Sequence, residues 1–308
     1  MTLFLDEAVA DVVNGFKTNG KANMWENTLL VFLADNGGPV YYPGGASNFP
    51  LRGGKYSDWD GGVRTAAFLS GGAIHAGRRG TSWGGVISIA DWYATLCELA
   101  GVDTHDAEAE EANKWLASHS LPLLPAVDSV PQWKSIMSGV GNGRAGNLHL
   151  SENALLRWPY KLVTGLQPYS VWTGQLYPNC TTQAQLLNGG GPMFLDMKVF
   201  GEQVWAGSTK AEHHRLTWTH DCGEGGCLVN LEADPTEHDD LAQSADPAVV
   251  AVLAELRADL ARLNKGIFRP DRGEDSIASC RVALENGGYY ASVTSMTHPA
   301  RFASTRGH

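Results

Sequence analysis

No stretch of this sequence comes near the run of about 18 apolar residues that a membrane-crossing helix needs, so no membrane span is expected. Positive charge is in short supply. With 23 Lys and Arg against 33 Asp and Glu, the formal net charge is −10, which argues against nucleic acid as a partner, because phosphate-backbone binding rests on cationic excess. No cationic, apolar leader precedes the first helical pattern, so no signal peptide is read in this chain. Cysteine is scarce: Cys97, Cys180, Cys222, Cys227 and Cys280 are the five in 308 residues. His213, His214 and His220 lie near Asp221 and Cys222, yet their spacing fits no structural zinc pattern. A phosphate-cradling G-x-x-x-x-G-K-[ST] loop is absent as well. What the chain does have is apolar content of 43%, enough for a sizeable core in one large or two modest domains.

Chemistry concentrates between Leu29 and Arg64. Leu29–Ala34 is apolar throughout and reads as a buried strand. It stops at Asp35-Asn36-Gly37-Gly38, so a carboxylate and a carboxamide stand side by side at a strand's carboxyl end, where open α/β sheets bind ligands. Both side chains offer oxygens of the kind that Ca²⁺ and Mg²⁺ prefer, but Ca²⁺ takes about six to eight of them, so further acids must come from elsewhere. Leu51-Arg52-Gly53-Gly54-Lys55 follows. Its glycines let backbone approach a ligand, and Lys55 presents a point charge suited to an oxyanion, with Arg52 or Arg64 as possible helpers. A divalent cation and a lysine facing one anion is an arrangement for sulfate or phosphate ester chemistry. Taken singly, Asp-Asn-Gly is a common turn and Gly-Gly-Lys is uninformative. Residues 51–80 hold five basic residues against two acids, a local reversal of charge that suits a small anionic substrate.

The ordered string of strand, Asp35-Asn36-Gly37-Gly38, Asn48-Phe49-Pro50-Leu51-Arg52-Gly53-Gly54-Lys55 and Trp59-Asp60-Gly61-Gly62-Val63-Arg64 resembles the second half of the catalytic domain of sulfatases, of the arylsulfatase B-like branch. Asp60 stands where that family has glutamate. The resemblance extends through Asp91-Trp92-Tyr93-Ala94-Thr95-Leu96 (alanine replacing the usual proline) to Leu99-Ala100-Gly101. It continues in Tyr160-Lys161-Leu162-Val163-Thr164-Gly165, then in Leu228–Leu231 with Asp234-Pro235-Thr236-Glu237 and Asp240-Leu241. It implies an α/β fold: part of an alkaline phosphatase-like, mainly parallel sheet flanked by helices, with a smaller C-terminal antiparallel sheet-plus-helix subdomain. It implies calcium ligation by Asp35 and Asn36, and sulfate contact by Lys55 as the catalytic cation, with Arg52 as a second substrate contact. The implied activity is calcium-dependent hydrolysis of sulfate esters, acting on a small sulfate ester or a sulfated glycan, in the secretory pathway, lysosome or extracellular space.

None of the five cysteines lies in the family's Cys/Ser-x-Pro/Ala-x-Arg formylglycine motif, and the family's early Asp-Asp pair is absent too. This chain alone is therefore expected to lack a nucleophile and to be inactive. Two alternatives stand beside hydrolysis: a non-catalytic relative that binds sulfated glycans or a protein, and a phosphoesterase of the wider alkaline phosphatase superfamily. Part of a parallel sheet would also expose a strand edge and an apolar face, so poor solubility in isolation is expected.

The remaining chain reads as follows. Leu5, Val9, Val12, Val13 and Phe16 recur at helical spacing. Val63–Leu69 reads as a second buried strand. Tyr41, Tyr42 and Phe49 are aromatics near the anion site, and His75 lies in a solvated loop. Asp91 is expected to N-cap a helix ending at Gly101. The acidic run over 104–119 reads as a solvated helical insertion. Gly139, Gly141, Gly143 and Gly146 mark a boundary, giving domains 1–145 and 146–308. Leu155–Trp158 and Lys161–Thr164 read as a hairpin, Phe194–Val204 as a strand pair, and Asp246–Leu263 as an amphipathic helix. The tail after Phe268 reads as loop, with Cys280 as a tether that could pair with Cys180. Cys222 and Cys227 could close a short loop, and Asn179-Cys180-Thr181 is a glycosylation sequon.

Overall fold

A computed structural model describes residues 2–18, 24–40, 46–172, 219–267 and 277–289. The sequon, the Phe194–Val204 pair, Tyr41, Tyr42, Cys180, His213 and His214 lie outside these described residues. Met1–Gly266 forms one compact unit and Ile267–His308 a second.

In the first unit, helix α1 spans Thr2–Thr18, followed by strand β1 (Leu30–Leu33). The Trp-Asp-Gly-Gly-Val segment is not part of the next strand. Asp60–Val63 makes a short helical turn, α2, and strand β2 begins only at Ala67 and runs to Ser70. The backbone N–H of Arg64 closes that turn on Asp60 O at 2.8 Å. β1 and β2 pair antiparallel, Leu30 opposite Ser70 and Leu33 opposite Ala67. The fold is mixed α/β, as expected; the ladders among the described residues are antiparallel, the geometry of edge strands in mixed sheets. Phe32 and Phe68 stack at 4.8 Å across this pair.

Helix α3 spans Asp91–Ala100 and ends where Gly101 takes a left-handed φ of 67°. Asp91 does not cap it; Ala90 holds that position. The Asp91 carboxylate is fully buried and accepts from Ser88 N and Val130 N, both at 2.9 Å, while pairing with Arg144. It thus sews the extended connector and the glycine-rich stretch onto α3. The acidic run folds as helix α4 (Ala107–Ser118), capped by Asp106, and α5 covers Trp133–Ser138.

The best-packed part is a sheet of four strands in the order β3 (Leu148–Ser151), β4 (Ala154–Arg157), β5 (Tyr160–Val163) and β8 (Cys227–Asn230). A separate two-stranded ladder pairs β6 (Leu166–Gln167) with β7 (His220–Asp221). Side chains alternate across strands. Leu155, Leu162 and Leu228 sit opposite one another in register, and on their face lies helix α6 (Pro247–Asn264) with Leu253, Leu256 and Leu260. Burying each of these helix leucines stabilises by about 2 kcal/mol. Asp246 caps α6, its carboxylate accepting from Ala248 N at 2.8 Å. On the other face Ala154, Val163 and Cys227 pack on Trp59. The sheet is therefore covered on both sides: by a helix on one and by the Trp59–Val63 segment on the other.

Elsewhere the surface is less well covered. α1 buries no residue, Phe68 is 47% exposed, and Tyr93, Leu96 and Leu99 on α3 are exposed as well. In the second unit, Ile277–Glu285 is a helix, α7, where the sequence reads as loop, and Cys280 carries no disulfide. Cys222 and Cys227, in contrast, are bonded.

Candidate functional site

Two loops meet beyond the end of β1. The first is Asp35–Gly38 and the second runs through Asn48 to Ser57. Asn48 clasps them: its Nδ2 donates to Gly38 O and Gly53 O, both at 3.0 Å, and its Oδ1 accepts from Gly38 N at 2.8 Å. Lys55 N donates to Gly38 O at 3.0 Å. From below, Gly37 N donates to Gly62 O at 2.8 Å, and Gly61 N to Arg52 O at 2.6 Å. Such contact requires glycine, since a Cβ on Gly37 would sit 1.7 Å from Gly61 O.

Asp35, Asn36 and Lys55, proposed by the sequence as a set, are thus carried on backbone segments bonded to each other. Asp35 is exposed, and its Oδ1 accepts from Asn36 N at 2.9 Å. Asn36 Nδ2 donates to Gly37 O at 2.7 Å, and its Oδ1 has no donor among the described residues. These are hard oxygen donors at a rim, the right kind for Ca²⁺ or Mg²⁺ but too few alone for a shell of about six or more. The donor set fits part of such a site. Lys55 Nζ has no carboxylate partner among the described residues and lies 5.8 Å from the Tyr56 ring.

Arg52 does not join them. It is 7% exposed, and its guanidinium lies 3.7 Å from the Trp59 ring and 4.5 Å from the Trp172 ring. It donates to Ser170 O at 3.3 Å and Glu237 O at 3.4 Å. Burial lowers its pKa, with Glu237 opposing. The side chain holds the interior together where the sequence expected a substrate contact.

Beneath the loops is an ion cluster that sequence reasoning missed. Lys161 Nζ, fully buried, lies 2.8 Å from both Asp60 Oδ1 and Glu237 Oε1. Glu237 Oε2 accepts from Asp60 N at 2.7 Å, and Arg64 approaches Asp60 at 3.6 Å. Burial alone would lower the Lys161 pKa; Asp60 and Glu237 outweigh it and raise it. Burial pushes Glu237 up, and the adjacent Asp60 adds to this against Lys161. The cluster fixes α2, and α2 in turn hydrogen-bonds both site loops. Its signal was available: a lysine inside the apolar run Tyr160-Lys161-Leu162-Val163 needs a buried counter-charge.

The zinc candidate resolves differently. His220, Cys222 and Cys227 lie within 4.8 Å of one another, but the two sulfurs are joined to each other and so are not thiolate ligands. His220 packs edge-on to Trp59 at 6.0 Å. His75 is exposed and accepts from Gly77 N.

Residues 1–102 match the family model described as Sulfatase. Arylsulfatase J of Mus musculus is 27% identical over 249 residues, covering 81% of this chain and 37% of that protein. A protein named Sulfatase from Formosa agariphila is 34% identical over 113 residues, 35% of this chain and 20% of its own length. The chain thus spans well under half the length of these curated relatives. Among solved structures, the PsFucS1 sulfatase from Pseudoalteromonas sp. superposes with a TM-score of 0.52 at 20% identity, covering 84% of this chain and 41% of that one. Ps i-CgsB in complex with k-i-k-neocarrahexaose gives 0.52 at 18% identity, over 91% of this chain and 45% of that one.

Proposed function

The chain carries sulfatase-family sequence on a sulfatase-like fold, and from that premise we propose that its two clasped loops are the anion-binding side of a sulfate ester hydrolase site. Lys55 binds the non-bridging sulfate oxygens and stabilises the charge that builds on them. Asp35 and Asn36 would hold part of the shell of a Ca²⁺ ion, which would supply Lewis-acid polarisation of the ester. Arg52 is left out of the substrate contacts. Residues 1–145 supply the loops, and Lys161, Gln167, Ser170 and Glu237 support them from the sheet region of the same unit. The observation that carries this reading is the three hydrogen bonds of the Asn48 side chain to Gly38 and Gly53, which join the backbone segments bearing Asp35, Asn36 and Lys55.

No cysteine of this sequence lies in a formylglycine motif, so the chain alone is expected to bind sulfate esters without turning them over. The substrate is a sulfate ester, small or part of a glycan. The Cys222–Cys227 disulfide supports an oxidising, secretory or extracellular setting, and no described helix is long and apolar enough to cross a membrane. Calorimetric titration with sodium sulfate and with 4-nitrophenyl sulfate, at fixed Ca²⁺, tests the reading. Lys55→Ala is expected to weaken both at least tenfold and Asp35→Asn to weaken Ca²⁺ binding. Equal affinities in the Lys55→Ala protein would refute it. Retention of the unmodified chain on immobilised heparin, lost in the same variant, would favour the glycan-binding alternative.

A further inference from the structure

Tyr56, next to Lys55, and Tyr169, which meets its ring, occupy backbone positions that suit glycine. Gly54–Ser57 is a tight turn, with Ser57 N donating to Gly54 O at 2.9 Å. Lys55 is its second residue and Tyr56 its third, with φ of 80°. A positive φ at the third position of such a turn is ordinarily met by glycine or asparagine. The same thing occurs at Gln167–Ser170. Pro168 takes the second position and Tyr169 the third, with φ of 54°, while Ser170 Oγ donates to Gln167 O at 2.8 Å. The two rings meet at 6.4 Å, tilted by 42°, and the Tyr56 side faces solvent with 69% exposure.

The support under both turns is rigid and shared. Ser57 is buried and its hydroxyl bonds back to Gly54 O at 2.9 Å. Gln167, also buried, accepts from Asp58 N at 2.9 Å and donates to Asp58 Oδ2 at 3.1 Å. Trp59 Nε1 donates to Ser170 Oγ at 2.7 Å. The turns are therefore bolted to each other on either side of the tyrosines. A strained backbone that persists at two adjoining places, presenting two aromatics to each other and one of them 5.8 Å from Lys55 Nζ, is the pattern expected where the side chains themselves are needed.

We propose that Tyr56 and Tyr169 form a ring-binding subsite that takes the face of the sugar or aryl ring whose sulfate Lys55 holds. The proposal deepens the reading of the Lys55 site and rests on it for the ligand class. Tyrosine faces bind the C–H face of a sugar or stack on an arene, and their hydroxyls keep the rim wet. The ring would lie over the pair while its sulfate reaches Lys55 from the same turn.

Calorimetry on the full chain separates the two ideas. The ligands are sodium sulfate, 4-nitrophenyl sulfate, a sulfated galacto-oligosaccharide and its desulfated counterpart. The variants are Tyr56→Gly, Tyr169→Gly and Lys55→Ala; glycine accepts both φ values, so folding is preserved, checked by thermal melts. Expected are unchanged affinity for inorganic sulfate in both glycine variants, and at least tenfold weaker binding of a ring-bearing ligand. A loss confined to 4-nitrophenyl sulfate identifies an aryl subsite, and one confined to the oligosaccharide a sugar subsite. If desulfated oligosaccharide binds and Tyr56→Gly alone abolishes this, the subsite stands even where the Lys55 reading fails. If sulfate binding depends on Lys55 but all ring ligands bind the glycine variants as they bind the parent chain, the subsite is overturned and the anion site survives. Failure of the parent chain to bind any of the four overturns both.

Discussion

Replacing Lys161 with methionine tests how the interior supports the site. Methionine matches the length of the lysine stem and fits the surrounding packing, so the change removes the charge with little loss of volume. It leaves Asp60 and Glu237 together in a dry environment, opposed by Arg64, 3.6 Å from Asp60, and by the buried Arg52 beside Glu237. Removing one partner of a buried ion pair costs about 3–5 kcal/mol. With a urea m-value of about 3 kcal/mol per molar, the unfolding midpoint should fall by roughly 1–2 M. The fully buried Trp59 ring packs on the same sheet face, so its fluorescence reports the transition. The deficit should also depend on pH. Glu237 already has a pKa raised from 4.5 by burial, and loss of Lys161 raises it further. The folded variant then binds a proton that the unfolded chain releases, so its stability falls as pH rises above 4.5. The deficit is thus larger at pH 8 than at pH 5. Adding Asp60→Asn and Glu237→Gln should restore most of the loss, since no buried charge is then left unpaired. A Lys161→Met protein as stable as its parent at pH 8, or a deficit independent of pH, would refute the reasoning.

Further tests follow from other contacts. Arg52→Lys keeps the charge but loses the stack between Trp59 and Trp172 and the fork to Ser170 O and Glu237 O; a loss of about 2–3 kcal/mol in urea unfolding is expected, and an unchanged midpoint would count against the stack. Cys222 and Cys227 are five residues apart, so reducing their bond releases only a short loop and should lower stability by about 2 kcal/mol, read as a lower thermal midpoint in dithiothreitol. The exposed apolar side chains of β2 and α3, Phe68, Leu96 and Leu99 among them, should bind anilinonaphthalene sulfonate in the folded state. Phe68→Ser should cut that fluorescence, and no dye binding by the native chain would show that the face is covered.

Elements with strong periodicity and clear ends were legible from sequence. The Asp246–Leu263 pattern became Pro247–Asn264 with Asp246 as its cap, and the Leu155–Trp158 and Lys161–Thr164 strands appeared one residue earlier. The strand end and the turn that carry Asp35, Asn36 and Lys55 were also legible, because glycine and asparagine mark them. Other features were hidden for physical reasons. Val63–Leu69 read as one strand, but Gly61 and Gly62 approach Gly37 and Arg52 closely, which keeps Val63 in α2, and β2 begins only at Ala67. Arg52 looked like a substrate contact because nothing local reveals that Trp172, far along the chain, covers it. Asp91 looked like a helix cap because its real partners, Val130 and Arg144, come from loops. The turn tyrosines were invisible because φ is not written in a side chain.

Where Asn48 does not bridge them, the two site loops and α2 meet backbone to backbone. A methyl group at Gly37 would fall 1.7 Å from Gly61 O, and one at Gly54 2.6 Å from Gly38 O. No alternative side chain can be tried at such positions without parting the loops. Sequence drift is therefore barred from these contacts, whereas the 69% exposed Tyr56 side chain can change without parting the loops. The side chain at that position can thus be exchanged while the backbone frame beneath it stays frozen.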